Sequence, residues 1–270
     1  MKTEKMKSQP HPTLPLTITF DSTNHTYTDD DNERYTSVTQ LTKSLFSPFD
    51  AMAHSLRLCN GNAPKAAALR ASWKAKATNS TDKIGTPAHE YAEAIILGRT
   101  PPKPTTDIQR LHQGMIDFAL SRINATHEIY IPEAIVFDPL FLVAGQIDLI
   151  GRNRKSGSLA ILDWKTCIEI TADSYGKHAL PPIAHMPDSK VNHYAMQLST
   201  YAYLLTDNAL SSYPTQGDPV ELALIHLPHQ GERPVWRPVP YLWREVDTVM
   251  RARLEFGCGA SERVDNRDAA

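Results

Sequence analysis

Two apolar stretches in the middle of the chain, residues 143–150 and 159–166, flank a polar run rich in Arg, Lys, Ser and Gly. Glycine and serine favour turns, so the pattern predicts two strands joined as a β-hairpin. If the hairpin is centred between Lys155 and Ser156, Asp148 lies opposite Asp163. Directly opposed side chains on neighbouring strands are only ~5 Å apart.

Two carboxylates that close repel each other and lose hydration in an apolar sheet, so a positive group is expected between them. A divalent cation fits, because Mg²⁺ takes oxygen ligands from one or two carboxylates and from phosphates. Lys165 is two residues after Asp163 and therefore points to the same face of the strand. Two acids, a lysine and a cation suit phosphate-ester hydrolysis, since the cation lowers the pKa of bound water and the lysine orients it or offsets charge.

Two helical patterns lie on either side of this hairpin, at residues 85–96 and 191–205. In the first, Thr86 and Pro87 are typical of a helix start, and His89 lies on the same face as Glu93, four residues later. In the second, Gln197 and Tyr201 are also four apart and share a face.

The order GTxxHxxxE, GxxD, DWKT and QxxxY resembles the PD-(D/E)XK nuclease superfamily, over roughly residues 35–205. Within it, the order is similar to the RecB-like branch, which includes helicase-associated nucleases and stand-alone phage or mitochondrial DNA exonucleases. The resemblance implies a restriction-endonuclease-like α/β fold, with a mixed central β-sheet flanked by helices. It also implies a deoxyribonuclease that depends on Mg²⁺ or Mn²⁺.

The resemblance assigns roles to individual positions of this chain. Catalysis falls to Asp148, Asp163 and Lys165. Metal ligation falls to His89, Asp148, Asp163 and the backbone carbonyl of Trp164, and substrate placement to Gln197 and Tyr201. Two further acids are open alternatives: Glu93 as a partner of His89 or of a lysine, and Glu133 as a helper for a second cation or an ordinary surface acid.

The remaining pattern predicts one domain over residues 15–256, with disordered polar tails at 1–14 and 257–270. We expect strands at 16–20, 25–28, 128–137 and 221–227, and helices from about 37, over 50–78 with a break near Asn60, over 106–122 and over 239–256. Residues 168–190 are rich in Pro, His and Asp and are expected to form a long irregular segment next to the site.

Composition argues against some classes of protein but does not identify a substrate. The 270 residues carry a formal net charge of -2 with a pI of about 6.6, which neither supports nor excludes DNA binding. Three scattered cysteines contain no CxxC pair, so a structural zinc site and a four-cysteine iron–sulfur cluster are not expected. There is no long apolar run or secretory signal, so we expect a cytoplasmic protein without a membrane partner.

The function expected from the resemblance is DNA exonuclease activity in recombination, repair or phage DNA processing. The partners expected are DNA and, in a separate chain, a helicase or a single-strand-binding or annealing protein. Two alternatives remain: an endonuclease on the same fold, and a DNA-end-binding module with little turnover. The basic residues around Trp73, within 50–78, are either a DNA-backbone contact or an ordinary solvated helix face.

Overall fold

The structure, a computed structural model, describes residues 6–11, 14–80, 84–206 and 220–256. In these residues the chain forms nine strands and seven helices. The strands are β1 (Met6–Pro10), β2 (Thr17–Asp21), β3 (Thr26–Asp29), β4 (Arg34–Ser37), β5 (His127–Asp138), β6 (Val143–Asn153), β7 (Leu159–Lys165), β8 (Val220–His226) and β9 (Val235–Val239). The helices are α1 (Val38–Ser44), α2 (Ala51–Leu58), α3 (Ala63–Ser80), α4 (Thr86–Ile96), α5 (Asp107–Thr126), α6 (Lys190–Thr206) and α7 (Trp243–Phe256).

All nine described strands belong to one mixed sheet. Its order is β1-β2-β3-β4-β6-β7-β8-β9, and β5 pairs with β6 beside this path. The β4–β6 and β7–β8 pairs are parallel and the other pairs are antiparallel. This arrangement, with helices on the sheet, confirms the predicted α/β class. None of the helices in the described ranges has the length and apolar character needed to cross a membrane.

Strand β6 has three neighbours, and they leave a gap along one of its edges. Strand β5 pairs with it from Val143 to Asn153, which occupies one edge for almost the whole strand. On the other edge, β4 pairs only at residues 143–144 and β7 only at residues 149–152. The sheet therefore forks at residues 145–148, and we call this gap the fork of the sheet.

Both faces of the sheet are covered by apolar side chains. One cluster joins β6, β7 and β8 to α1, α6 and α7, with Ile161, Leu198 and Met250 fully buried. The other joins the opposite face to α4 and α5 through Ala92, Ile116 and Trp164. Burying each large apolar side chain contributes about 1.5–3 kcal/mol, so these two layers hold α4 and α6 firmly on opposite sides of the fork.

The last described helix also fastens the base of the fork. Arg253 of α7 donates to the hydroxyl of Thr36 in β4 at 3.1 Å and to the carbonyl oxygen of Phe141 at 3.3 Å. Phe141 lies in the turn between β5 and β6. One side chain thus ties β4 to that turn, at the point where β4 meets β6.

Most predicted elements are present. The hairpin β6–β7, the β2–β3 pair and the helices around residues 86–96 and 190–206 lie where the pattern places them. Helix α1 begins at Val38, close to the predicted start at about 37, and Ser37 caps it with its hydroxyl accepting from the Gln40 N–H at 3.1 Å. The helical stretch 50–78 is broken into α2 and α3, and residues 168–189 contain no helix or strand beyond one isolated bridge, His178 to Pro187.

The structure differs from the predictions near both ends of the described chain. Within the predicted disordered tail, Met6–Pro10 pairs with β2 as an edge strand, which its polar sequence does not reveal because a sheet edge needs only backbone pairing. Strand β9 was not expected, and the last helix begins at Trp243 rather than 239, because Pro238 and Pro240 favour an extended edge strand. The predicted tail at 257–270 lies outside the described residues.

Gly145 lies in the fork where a side chain has no room. A Cβ built there would come 2.5 Å from Cε1 of Tyr201 and 2.9 Å from Cγ2 of Val38, both buried side chains. We expect Gly145→Ala to lower the free energy of unfolding by about 1–3 kcal/mol, since the methyl group overpacks a filled core. Urea unfolding followed by circular dichroism measures this change.

The matched control is Gly114→Ala in the exposed middle of α5, where a Cβ meets nothing within 4 Å. Alanine is a better helix former than glycine, so this variant should gain about 0.5–1 kcal/mol. Equal stability of the two variants would contradict the close contact at Gly145.

Candidate active site

The register of the β6–β7 hairpin brings two aspartates together. Leu149 pairs with Leu162 and Ile150 with Ile161, so continuing the register by one residue places Asp148 opposite Asp163. The paired part of the hairpin therefore has the register that the sequence predicts from a turn centred between residues 155 and 156. Both aspartates are buried, at the closed end of the fork.

A third carboxylate lies beside Asp148 on its other flank. In the β5–β6 ladder, Pro132 pairs with Leu149 and Ala134 with Ile147, which places Glu133 across from Asp148. Glu133 has φ +52°, in the left-handed region that non-glycine residues rarely occupy, and Gln146 donates to its carbonyl oxygen at 3.2 Å. Glu133, Asp148 and Asp163 thus form a row across three adjacent strands.

His89 of α4 faces two of these acids. Its Nδ1 lies 3.3 Å from Oδ1 of Asp148 and 3.6 Å from Oε1 of Glu133. Helix α4 begins at Thr86 with Pro87 in its first turn, and its apolar face packs on the sheet, which turns His89 toward the row of acids. The side chain is 32% exposed, so the imidazole lies at the boundary between the acids and solvent.

Asp148 is also anchored by backbone. The Trp164 N–H donates to Oδ2 of Asp148 at 2.8 Å, which is possible because β6 and β7 have stopped pairing through their backbones at this point. One oxygen of Asp148 is thus held by Trp164 while the other faces His89. For Trp164, the hydrogen bond that the structure shows is made by the N–H group, whereas the sequence assigned a role to its carbonyl.

Lys165 contacts Asp163 on the opposite side of the row. Its Nζ pairs with Oδ2 of Asp163, and it lies 4.8 Å from the centre of the Tyr194 ring of α6. The Tyr194 hydroxyl donates to Sγ of Cys167 at 3.8 Å. The lysine is therefore held between a carboxylate and an aromatic face, a placement that restricts a long side chain.

Burial and mutual charge set the protonation of these groups. Burial raises the pKa of Asp163 to about 6, and Asp148 adds to this rise while Lys165 opposes it. Burial also raises the pKa of Glu133, with Asp148 acting in the same direction. Burial alone would raise the pKa of Asp148, but His89 and then Lys165 bring it below its usual value.

The two basic groups respond to the same acids. Burial alone would lower the pKa of His89, but Asp148 and Glu133 raise it well above its usual value. Burial would likewise lower the pKa of Lys165, but Asp163 and Asp148 hold it above its ordinary range. The imidazolium and the ammonium therefore supply positive charge to a row of carboxylates that would otherwise repel one another.

Helix α6 brings Gln197 and Tyr201 to the same side as Lys165. The side-chain amide of Gln197 donates to the Tyr201 hydroxyl at 3.2 Å. Gln197 is half-buried, whereas Tyr201 is only 4% exposed and lies against Gly145 in the fork. The tyrosine therefore contacts Gln197 from within the core.

Two residues near the site, Glu93 and His193, pair with residues outside the row of acids. Glu93 pairs with Lys7 of β1 at 3.3 Å rather than with His89, which fits the alternative of a lysine partner. His193 pairs with Asp188 at 2.7 Å and stacks on Phe46 with ring centroids 3.8 Å apart. Sequence reasoning left out Tyr194 and gave Glu133 no firm role, because neither lies at a position that the motif marks.

The donor set fits a divalent cation. One ligand atom each from His89, Glu133 and Asp148 lies within 4.8 Å of the others, close enough for a single ion to bridge them. Carboxylate oxygens suit Mg²⁺ and Mn²⁺, and an imidazole nitrogen suits Mn²⁺. Asp163 lies across from Asp148, on the edge of this cluster.

A mixed sheet flanked by helices carries two acids and a lysine on its central hairpin and a histidine that faces one of the acids, which are the groups that a metal-dependent nuclease needs. The model of the PD-(D/E)XK nuclease superfamily matches residues 50–256, most of the chain, and the chain belongs to that superfamily. This match confirms the predicted superfamily and the restriction-endonuclease-like fold. A search among curated proteins finds no match.

Glu133 is the test of the cation cluster. Glu133→Gln removes one of three crowded carboxylates, so without a divalent cation we expect the free energy of unfolding to rise by about 1 kcal/mol. Added Mn²⁺ should raise the melting temperature of the wild type, and this rise should shrink in the variant because a ligand is lost. Thermal unfolding with and without Mn²⁺ measures both effects.

Glu128→Gln is the control, since Glu128 is exposed on the same strand β5. It should leave the Mn²⁺-induced rise unchanged. A full rise in Glu133→Gln would remove this residue from the set of ligands.

Proposed function

We propose that this nuclease is a DNA exonuclease of the RecB-like branch, dependent on Mg²⁺ or Mn²⁺. The observation that carries the proposal is the contact of Lys165 with Asp163, directly across the hairpin from Asp148. Two acids and an ammonium group at one point are what hydrolysis of a phosphodiester requires: a place for the cation and a group for the water or the phosphate.

Asp148 and His89 are the central residues of the proposed cation site, with Glu133 and Asp163 on either side and the Trp164 carbonyl as a further donor. When bound, the cation lowers the pKa of a water molecule and offsets charge on the phosphate. The Trp164 N–H keeps Asp148 in one orientation, so its free oxygen stays aimed at the site. Cation binding requires a neutral imidazole, so His89 must release the proton that Asp148 and Glu133 stabilise on it.

Lys165 is the proposed general catalyst. Held between Asp163 and the Tyr194 ring, its ammonium group can hydrogen-bond the attacking water or a phosphate oxygen without searching many rotamers. Asp163 sets the position of this ammonium group and contributes charge to the cation site. The lysine and both hairpin acids are all present, which argues against a DNA-end-binding module without turnover.

Gln197 and Tyr201 divide the substrate-binding role between them. The half-buried Gln197 can reach a phosphate or a base edge, whereas the buried Tyr201 acts by orienting the Gln197 amide. Both residues thus keep the substrate-placing role that the resemblance implies, with Tyr201 acting through Gln197.

The branch and the biological role follow from motif order rather than from geometry. The His89 helix, the hairpin and the Gln197–Tyr201 helix occur in the order of the stand-alone phage and mitochondrial exonucleases, and the contacts of His89 with Asp148 and of Lys165 with Asp163 support this proposal. We therefore propose roles in recombination, repair or phage DNA processing in the cytoplasm. A helicase or a single-strand-binding or annealing protein would act as a separate chain.

Replacing Lys165 tests the chemistry. We expect Lys165→Ala to slow Mn²⁺-dependent release of nucleotides from end-labelled DNA by about 10²- to 10⁴-fold, the range for loss of a proton-transferring or charge-stabilising group. DNA binding, measured without divalent cation, should be retained because the group acts on the reacting phosphate.

Lys155→Ala is the matched control, since Lys155 is an exposed lysine in the turn of the same hairpin. It should cleave DNA at the wild-type rate. Undiminished cleavage by Lys165→Ala would place the chemistry elsewhere in the molecule.

The shape of the DNA distinguishes exonuclease from endonuclease action. We expect the protein to degrade linear DNA progressively from its ends and to leave a covalently closed circle intact, because an exonuclease needs a terminus. Gel analysis of both substrates over time, with Mn²⁺ and with Mg²⁺, gives the answer. Linearisation of the circle before any terminal shortening would establish the endonuclease alternative instead.

A further inference from the structure

Helices α2 and α3 form a helical hairpin that carries a cluster of aromatic rings. Phe49, His54 and Trp73 lie with ring centroids 5.2 to 5.9 Å apart, in contact across the two helices. The α2–α3 hairpin is held together by Ser55, fully buried, whose hydroxyl accepts from Arg70 at 2.7 Å. The aromatic cluster therefore lies on a fixed frame.

This surface is unusually apolar for solvent-facing helices. Phe49 is 62% exposed, Met52 is 54% exposed and Leu58 is 58% exposed. Three large apolar side chains exposed within ten residues of the chain indicate a surface that contacts something else. Trp73 and His54, which contact the exposed Phe49, are half-buried.

The same segment is also strongly basic. Residues 51–81 contain five of the 28 Lys and Arg residues and none of the 30 Asp and Glu residues. The five bases are Arg57, Lys65, Arg70, Lys74 and Lys76. The remainder of the chain is acidic overall, so positive charge is concentrated here. Basic side chains interleaved with aromatic rings are suited to a polyanion that has planar groups, which is a nucleic acid.

The segments that flank the α2–α3 hairpin contact residues next to the candidate active site. Before α2, Phe46 stacks on His193, which lies one helical turn from Gln197 in α6. Beyond α3, Gly85 lies against Thr166, the residue following Lys165, with 3.5 Å between a Cβ built on Gly85 and the Thr166 hydroxyl. The hairpin is therefore inserted in the chain between two segments that contact neighbours of Gln197 and Lys165.

We propose that the α2–α3 hairpin is a stacking platform for unpaired bases, so that the nuclease holds its substrate as single-stranded DNA. This inference rests on the proposed function and names the form of DNA that the site receives. A duplex hides the faces of its bases within its own stack, so exposed rings such as Phe49 and Trp73 can stack only on bases that are already unpaired. The exposed Arg57, Lys65 and Lys74 bind the phosphates of that strand.

Affinity for single-stranded DNA, measured without turnover, tests the platform. The probe is a fluorescein-labelled oligothymidylate of about 12 nucleotides, within the range that single-strand-binding folds cover, and anisotropy is read in EDTA at low salt. We expect Trp73→Leu and Phe49→Leu each to weaken binding by about 5- to 100-fold, because each loses one base stack. Trp73→Phe, which keeps a ring, should restore most of the affinity.

Trp243→Leu is the matched control, because Trp243 is 50% exposed on α7 and is not part of the cluster. It should bind the probe like the wild type. A blunt duplex of the same length should bind the wild type more weakly than the single strand and should respond little to Trp73→Leu.

Wild-type affinity in Trp73→Leu and Phe49→Leu would overturn the proposal and assign the patch to another occupant, such as a protein. Equal losses in Trp73→Leu and Trp243→Leu, or tighter binding of the duplex, would overturn it as well. Circular dichroism confirms that each variant is folded. The proposed nuclease function fails separately, if the wild type shows no Mn²⁺-dependent cleavage or if Lys165→Ala cleaves as fast as the wild type. Neither result affects the binding measurement in EDTA.

Discussion

Repulsion among buried carboxylates is the constraint around which this molecule is arranged. Glu133, Asp148 and Asp163 lie side by side on β5, β6 and β7, where each loses hydration and raises the cost of ionising its neighbours. Such a row persists only if positive charge is supplied. Here His89 comes from one helical layer and Lys165 from the hairpin itself, and the apolar faces of α4 and α6 hold the surrounding elements in place.

The fork of the sheet explains how polar groups can lie so deep. A fully paired strand would direct its backbone groups into ladders, but β6 lacks a ladder partner on one edge at residues 145–148. The Trp164 N–H, free of β6 backbone, binds the Asp148 side chain instead. The same gap admits the Tyr201 ring next to Gly145, which has no side chain to block it. The Asp148 carboxylate and the Tyr201 ring therefore both occupy the fork, and there is room for the ring because residue 145 is a glycine.

The sequence was sufficient to predict those elements that depend only on residues close together in the chain. The turn centred between Lys155 and Ser156 determined the hairpin register, and the polar residues before Val38 gave the start of α1 to within a residue. Glu133 could not be placed this way, because its position depends on a β5 bulge near residues 129–131 and on a left-handed backbone at the residue itself. Strand β1 was also hidden, since its polar side chains say nothing about a pairing that uses only backbone groups. Tyr194 gained its place only when α6 packed against the hairpin.

The contact of Arg253 with Thr36 and Phe141 has a consequence for biosynthesis. Its hydrogen bond to Thr36 joins residues 217 positions apart, so this bond forms only after α7 has been synthesised. Contacts of such long sequence separation slow folding, because a long loop must close before they form. A nascent chain can therefore form the acidic hairpin, and pair β4 with β6, before Arg253 adds its contacts to Thr36 and Phe141.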